Sequence, residues 1–276
     1  MSTWLITGCS SGLGRALAEA VLERGDNAIV TARDVTSVED LAETFPDTAL
    51  ALALDVTDAD QIDRAVTRGI ERFESIDVLV NNAGYGYRAA VEEGDDDHVE
   101  QLFATNFFGA VAMIKAVLPG MRAQRSGSIV SISSIGARIS PAGSGYYAAA
   151  KAALEAMSVS LRREVGPLGI TAMAVEPGGF RTEFAGRSLH QSREAIADYA
   201  ETAGARRKEN DTAHGTQPGD PAKAAEALIT VIESPEPPVL LVLGSDAYGS
   251  LSEILQAQQA ELEEWKDTTL STDFSD

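Results

Sequence analysis

Residues 144–157 read SGYYAAAKAALEAM: two adjacent tyrosines and a lysine in a run of alanine. A tyrosine, with an ordinary pKa near ~10, is a poor base at neutral pH unless its phenolate is stabilised, and a nearby lysine supplies positive charge. Helix geometry decides which tyrosine the lysine can serve. Residues 146–165 hold neither Gly nor Pro and are rich in Ala and Leu, which predicts a helix. At about 100° per residue, Tyr147 and Lys151 share a face, whereas Tyr146 and Lys151 diverge by about 140°. The pair is therefore Tyr147 and Lys151. Spacing proves only proximity, because neighbours on a solvated helix face show the same pattern.

A second constellation lies at residues 7–14, TGCSSGLG, between the apolar run TWLIT and the helical pattern RALAEAVLERG. Gly8, Gly12 and Gly14 let the backbone turn tightly and approach a phosphate. The helix that follows offers unpaired N–H groups and the positive end of its dipole. The spacing, G-x-x-x-G-x-G, is one residue wider at the front than the common dinucleotide fingerprint. A structural turn or a methyltransferase cofactor loop would use the same residues, but the position after a first strand favours a dinucleotide. The next strand ends in Thr31-Ala32-Arg33-Asp34. Where an acidic residue would take the ribose hydroxyls of NAD, Ala32 has no carboxylate, and Arg33 offers donors for a 2′-phosphate. NADP(H) is expected over NAD(H), although a small backbone shift would bring Asp34 to the ribose.

These residues need a scaffold, and the remaining pattern supplies one. Strand runs are expected at 3–7, 27–32, 49–54, 77–81, 128–133, 170–175 and 239–243. Helices are expected between them, near 13–24, 36–45, 58–73, 96–123, 146–165 and 221–233. Most strand runs are apolar on both faces, as parallel strands covered by helices should be. The expected fold is α/β, a doubly wound parallel sheet of Rossmann type, with one catalytic domain over residues 1–245. Residues 183–220 are polar, without an evident strand, and read as a helical substrate-lid insertion. Residues 246–276 read as a polar helix and a disordered tail.

Composition narrows the function classes. The formal net charge is −20, from 42 acidic and 22 basic residues, which disfavours nucleic acid and anionic membrane as partners. No apolar run in the sequence approaches the ~20 residues of a membrane span. The single cysteine, Cys9, fits a reducing compartment and reads as a small loop filler, and the N-terminus has no basic leader pattern, so a cytoplasmic location is expected. His98, His190 and His214 are scattered, and no metal site is expected.

Taken together, TGCSSGLG (7–14), LDVTD (54–58), NNAG (81–84), Asn106 in ATNFFG, SISS (131–134), YAAAK (147–151) and EPGGFRT (176–182) resemble the short-chain dehydrogenase/reductase family, in the family's own order. The resemblance implies an oxidoreductase that interconverts a ketone and a secondary alcohol. Tyr147 would be the acid/base and Lys151 would support its phenolate and hold the nicotinamide ribose. Ser134, in preference to Ser133, would polarise the substrate oxygen, and Asn106 would hold a water linking Lys151 to solvent. Gly8, Ser10, Ser11, Gly12, Leu13 and Gly14 would line the phosphates. Asp55 and Val56 would face the adenine, and Asn82, Ala83 and Gly84 its ribose. Pro177, Gly178, Phe180 and Thr182 would flank the nicotinamide. Tyr146 would pack or line the pocket.

A non-catalytic NADP-binding regulator of the same fold is the competing class, and the intact Asn106, Ser134, Tyr147 and Lys151 weigh against it. Tyr85, Tyr87, Arg88, Ile139 and Pro141 suggest a roomy, partly apolar pocket, hence a bulky hydrophobic carbonyl or alcohol as substrate. The apolar face of the helix from 146, with Ala148, Ala152, Ala156, Leu154, Met157 and Leu161, suggests a homodimer or homotetramer.

Overall fold

In the computed structural model, residues 1–186, 188–213 and 215–274 are described. Strand β1 (Thr3–Ile6) leads into α1 (Gly12–Glu23), and β2 (Asn27–Ala32) into α2 (Glu39–Thr44). After β3 (Ala49–Ala53) come α3 (Ala59–Phe73), β4 (Val78–Asn81) and the short β5 (Gly86–Arg88). Then α4 (Asp96–Phe103) and α5 (Ala110–Gln124) flank a π-helical turn, Ala104–Gly109. The chain continues as β6 (Gly127–Ile132), α6 (Gly136–Ile139), α7 (Gly145–Val165) and β7 (Ile170–Pro177). It ends with β8 (Leu189–Gln191), α8 (Ala203–Ala213), α9 (Pro221–Ile232), β9 (Leu240–Leu243), α10 (Ser245–Glu264) and α11 (Lys266–Leu270).

Seven strands form one parallel sheet in the order β3-β2-β1-β4-β6-β7-β9. The chain builds outward from β1 to β3 and then resumes on β1's other side with β4, Trp4 pairing with Ala28 on one flank and Val78 on the other. That reversal opens a crevice at the carboxyl ends of β1 and β4, where open α/β sheets bind ligands. Both faces are covered, as the unbroken apolar strands require. On one, Leu17, Val21 and Leu22 of α1 meet Leu228, Ile229 and Ile232 of α9. On the other, Ile62 and Val66 of α3, Met113 and Val117 of α5 and Leu161 of α7 close the second core.

The sequence pattern misses four features of this architecture. Residues 183–220 do contain a strand: β8 pairs in parallel with β5, a second unforeseen strand, in a separate two-stranded sheet. Three-residue strands leave almost no periodicity to read. The expected 96–123 helix runs unbroken over Asp96–Gln124, but it contains an unforeseen π-turn that carries Asn106. Its whole run, Asp96–Gln124, is long and apolar enough to cross a membrane, yet Met113, Ile114, Val117 and Met121 are buried in the second core. Finally, the tail expected to be disordered continues as α11 to Leu270. Residues 187 and 214, in the insertion, and 275–276, at the tail's end, lie outside the described residues.

Candidate active site

The carboxyl ends of the strands open on a cleft of about 1210 Å³. Its first wall is the glycine loop. Gly8 and Gly12 have left-handed φ angles of 74° and 65°, which a side chain would strain. A Cβ at Gly8 would lie 2.9 Å from Ala83 Cα, and one at Gly14 only 2.3 Å from Asn82 Nδ2. The loop is bound to β4's end. The backbone N–H groups of Asn82 and Ala83 each donate to Thr7 Oγ1 at 2.9 Å, and Asn82 Nδ2 donates to Thr7 O (2.9 Å) and Gly8 O (3.0 Å). Ser11 N-caps α1 without spending its side chain on the cap, and the helix's first turn carries no acidic residue. An anion fits this cradle, with the first-turn amides as donors.

At the far end of the cradle, Arg33 is exposed and lines the cleft, and Ala32 is buried. Asp34 does not line it. Its Oδ1 accepts from Thr36 N at 3.1 Å and Thr36 Oγ1 at 2.8 Å, capping the turn Val35–Ser37. Every residue expected at the cofactor lines the cleft except Gly14. Gly14 instead lets α1 pack against Asn82, which lines the cleft while its amide Nδ2 braces the loop.

The second wall carries the chemistry. Tyr147 is 6% exposed, within α7, and its hydroxyl hydrogen-bonds Ser134. Ser134 Oγ also accepts from Gly136 N at 3.0 Å, which fixes it at the turn beyond β6. Ser133 Oγ instead donates to Glu155 Oε1 at 2.5 Å, so Ser134 is the serine whose hydroxyl is turned to Tyr147. Lys151 is buried, donates from Nζ to Ile132 O at 2.8 Å, and sits 6.0 Å from the Tyr147 ring centroid. Asn106 is buried and does not line the cleft. Its Nδ2 donates to Tyr85 O (2.8 Å), and its Oδ1 accepts from Tyr85 N (3.0 Å). A Cβ on Gly84 would lie 3.0 Å from that Oδ1 and 3.3 Å from Lys151 Nζ, so glycine keeps open a small space between the two side chains.

Burial dominates the electrostatics around the Tyr147–Lys151 pair. Burial pushes the Tyr147 phenol above its ordinary value, while Ser134's hydrogen bond and the charge of Arg88 oppose the rise. Arg88 is thus a second cation near the phenol, beside Lys151 Nζ at 6.0 Å from its ring, while the charge of Glu155 reinforces the rise. Burial lowers Lys151 to about 8, against the opposing pull of Glu155. Glu155, one turn beyond Lys151, is raised to about 7 by burial, offset by Ser133's hydrogen bond and reinforced by Glu176. Glu176 is fully buried and faces Arg138 Nη1 at 3.3 Å. Tyr147, Lys151 and Glu155 thus form an i, i+4, i+8 row. The third member was visible in the helical spacing once the first two were chosen.

The outer rim comes from the insertion, the segment after β4 and the turn around α6. Tyr85, Ile139, Pro141, Phe184, His190 and Arg206 line it, with Phe184 5.8 Å from the Tyr147 ring and His190 edge-on to Tyr85 at 5.1 Å. Tyr87, expected there, is instead buried at 1% exposure, stacked on His98, its hydroxyl accepting from Asp95 N at 3.1 Å. Tyr146 packs outside the cleft over Gly94 and donates to Val91 O at 2.6 Å. Glu93, unanticipated, fastens the insertion. It is buried, accepts from Ala90 N (2.8 Å) and Ile196 N (2.7 Å), and is paired with Arg207 of α8. Burial alone would raise its carboxyl, but these donors outweigh it and hold it low. Cys9 is a buried filler, its thiol pushed up to about 12 by burial. Among the described residues no metal-ligand cluster occurs.

Comparison with known proteins agrees with this geometry. Residues 2–193 match the family model of the short chain dehydrogenases. An oxidoreductase of Botryotinia fuckeliana, BOA17, is 41% identical over 274 residues, 98% of each chain. A 3-ketodihydrosphingosine reductase of Bacteroides thetaiotaomicron is 38% identical over 199 residues, 72% of this chain and 71% of that one. The crystal structure of a short-chain dehydrogenase from Streptomyces avermitilis superposes with a TM-score of 0.92 at 43% identity, covering 99% of this chain and 100% of that one.

Proposed function

The chain belongs to the short-chain dehydrogenase/reductase family of oxidoreductases, and on that premise we propose that it interconverts a ketone and a secondary alcohol with NADP(H). The observation that carries the reading is one wall of the cleft on which the Ser134 hydroxyl, the Tyr147 phenol and buried Lys151 converge, facing a glycine cradle open to phosphate. Gly8, Gly12 and the first-turn amides of α1 would hold the dinucleotide along that cradle, and when bound it would supply hydride-transfer chemistry at its nicotinamide. Tyr147 gives the proton to the alkoxide, or takes it from the alcohol, and Ser134 donates to the substrate oxygen as charge builds there. Burial keeps water from competing for these contacts. Lys151, held by Ile132 O, keeps a positive charge behind the phenol, and Asn106 fixes the Tyr85 backbone at the cleft's floor.

Arg33 in the cleft, with Asp34 turned into a cap, supports NADP(H) over NAD(H). The apolar rim of Ile135, Ile139, Pro141 and Phe184 supports a bulky hydrophobic carbonyl compound. So does the similarity to a relative named as a 3-ketodihydrosphingosine reductase. The reading includes a homodimer or homotetramer. Leu154 and Leu161, expected on its interface, are buried in the chain's own core, but half-buried Ala152 and Met157 and exposed Phe108 remain for a partner. It also places the protein in the cytoplasm, consistent with a lone, inert cysteine. The test is NADPH consumption with a panel of aliphatic, aromatic and polycyclic ketones. Turnover by the wild type and silence from a Tyr147→Phe variant that still binds NADPH are expected. Tight NADPH binding without turnover of any ketone or alcohol would instead favour a regulator.

A further inference from the structure

The C-terminal helix reaches into the site at one point. The segment after β7, Gly178–Gly179, lines the cleft beside Phe180 and Thr182 and has no side chains of its own with which to hold position. It is pinned through its backbone. Gly178 N donates to Leu243 O at 2.8 Å, Gly219 N donates to Gly179 O at 2.9 Å, and Gly179 N donates to Asp246 Oδ2 at 2.7 Å. Only the last anchor is a side chain, and it comes from the first turn of α10. Its fit is close. A Cβ at Gly178 would lie 2.3 Å from Asp246 Oδ1, and one at Gly244, whose φ is 105°, would lie 2.7 Å from the same oxygen. Glycines on both sides leave room for the carboxylate to fold back over the loop, and its place at a helix N-terminus favours its charge. Asp246 and Ser250 themselves line the cleft.

We propose that Asp246 is a positioning residue that clamps the Gly178–Gly179 segment, so that the C-terminal helix sets the grip on the nicotinamide half of the cofactor. The proposal rests on the dinucleotide reading above, and its test separates the two. Affinities of the full chain are measured for NADPH and NADH by their fluorescence, and for 2′,5′-ADP and ADP, which lack the nicotinamide half, by competition. Asp246→Ala should weaken the dinucleotides roughly tenfold, the scale of one charge-assisted hydrogen bond, and leave both fragments unchanged. Asp246→Asn should recover most of the loss, because its amide oxygen accepts from the same N–H. Equal weakening of dinucleotides and fragments would reveal a general structural role and overturn the clamp, as would unchanged affinity for all four ligands. A wild type that binds neither dinucleotide would overturn the functional reading itself.

Discussion

The two ends of the cleft are built from different materials. The cofactor end is largely backbone: positive-φ glycines, helix-terminal amides, carbonyls braced by Asn82 and a Gly179 N–H held by Asp246. The substrate end is side chain: Tyr85, Phe184, His190 and Arg206, carried on segments joined by the three-residue pairing of β5 with β8 and by the Glu93–Arg207 ion pair. Backbone geometry demands particular residues at fixed spacing, so it specifies one ligand shape. A side-chain rim hung on a few fastenings can be changed residue by residue without disturbing the sheet. The proposed catalytic residues sit between the two, on the rigid end of β6 and on α7.

The largest expected effect breaks the chemistry while sparing both ends. Tyr147→Phe removes only the hydroxyl that Ser134 meets, and general acid–base groups contribute ~10²–10⁴-fold. Turnover should fall toward the upper figure with NADPH affinity retained. Tyr146→Phe is the control, since its hydroxyl only reaches Val91 O outside the cleft. An inactive Tyr146→Phe beside an active Tyr147→Phe, both folded, would refute the assignment. The next effect should fall on the rim alone. Arg207→Ala leaves the Glu93 carboxylate buried with only its two backbone donors, and losing one partner of a buried pair is costly. The insertion should loosen, raising KM for the ketone tenfold or more with NADPH affinity nearly unchanged. A matched loss of both affinities would show that the two ends are not separable.

The difference in material also explains what could be read from sequence. The seven sheet strands and the glycine loop were legible because each leaves an apolar run or a glycine spacing behind. That Tyr147 and Lys151 share a helix face was legible from the helical period, whereas Ser134 was singled out by the family resemblance alone. Tyr87 was misplaced because an aromatic after the NNAG stretch reads the same whether it lines a pocket or stacks on His98. Glu93 and Asp246 act through contacts with residues 103 and 67 positions away, and no local pattern records such distances. The raised phenol of Tyr147 and the reach of Arg88 depend on burial, which only the folded chain defines.

At the cofactor end, Arg33→Ala should leave NADH affinity as it was and cut NADPH affinity about tenfold, because a charge-assisted hydrogen bond contributes on the order of 1.5–3 kcal/mol. Titration of both cofactors by fluorescence reads this directly. A wild type that binds NADH as tightly as NADPH would remove Arg33 from the account and return the choice to the ribose hydroxyls.

The smallest effect on turnover, and the one that probes the wall between the ends, is the pH dependence of stability. Glu155 is raised from 4.5 to about 7, so the folded chain holds its proton more tightly than the unfolded one. That contribution is fully present below 4.5 and is lost as pH rises through about 7. Lys151 is lowered from 10.5 to about 8, so its burial penalty applies below 8 and is relieved as pH climbs from there toward 10.5. Melting temperature measured from pH 5 to 10 should therefore contain a fall ending near 7 and a rise beginning near 8. Glu155→Gln is a permanent copy of the protonated form, able to accept from Ser133 and donate toward Glu176. It should flatten the fall, keep the rise, and leave turnover near pH 6 within about twofold, since a neutral isostere perturbs packing little. Lys151→Met should do the reverse for stability, flattening the rise alone. If the fall persists undiminished in Glu155→Gln, then Glu155 is ionised throughout the range, and the charge behind Lys151 is that of two carboxylates.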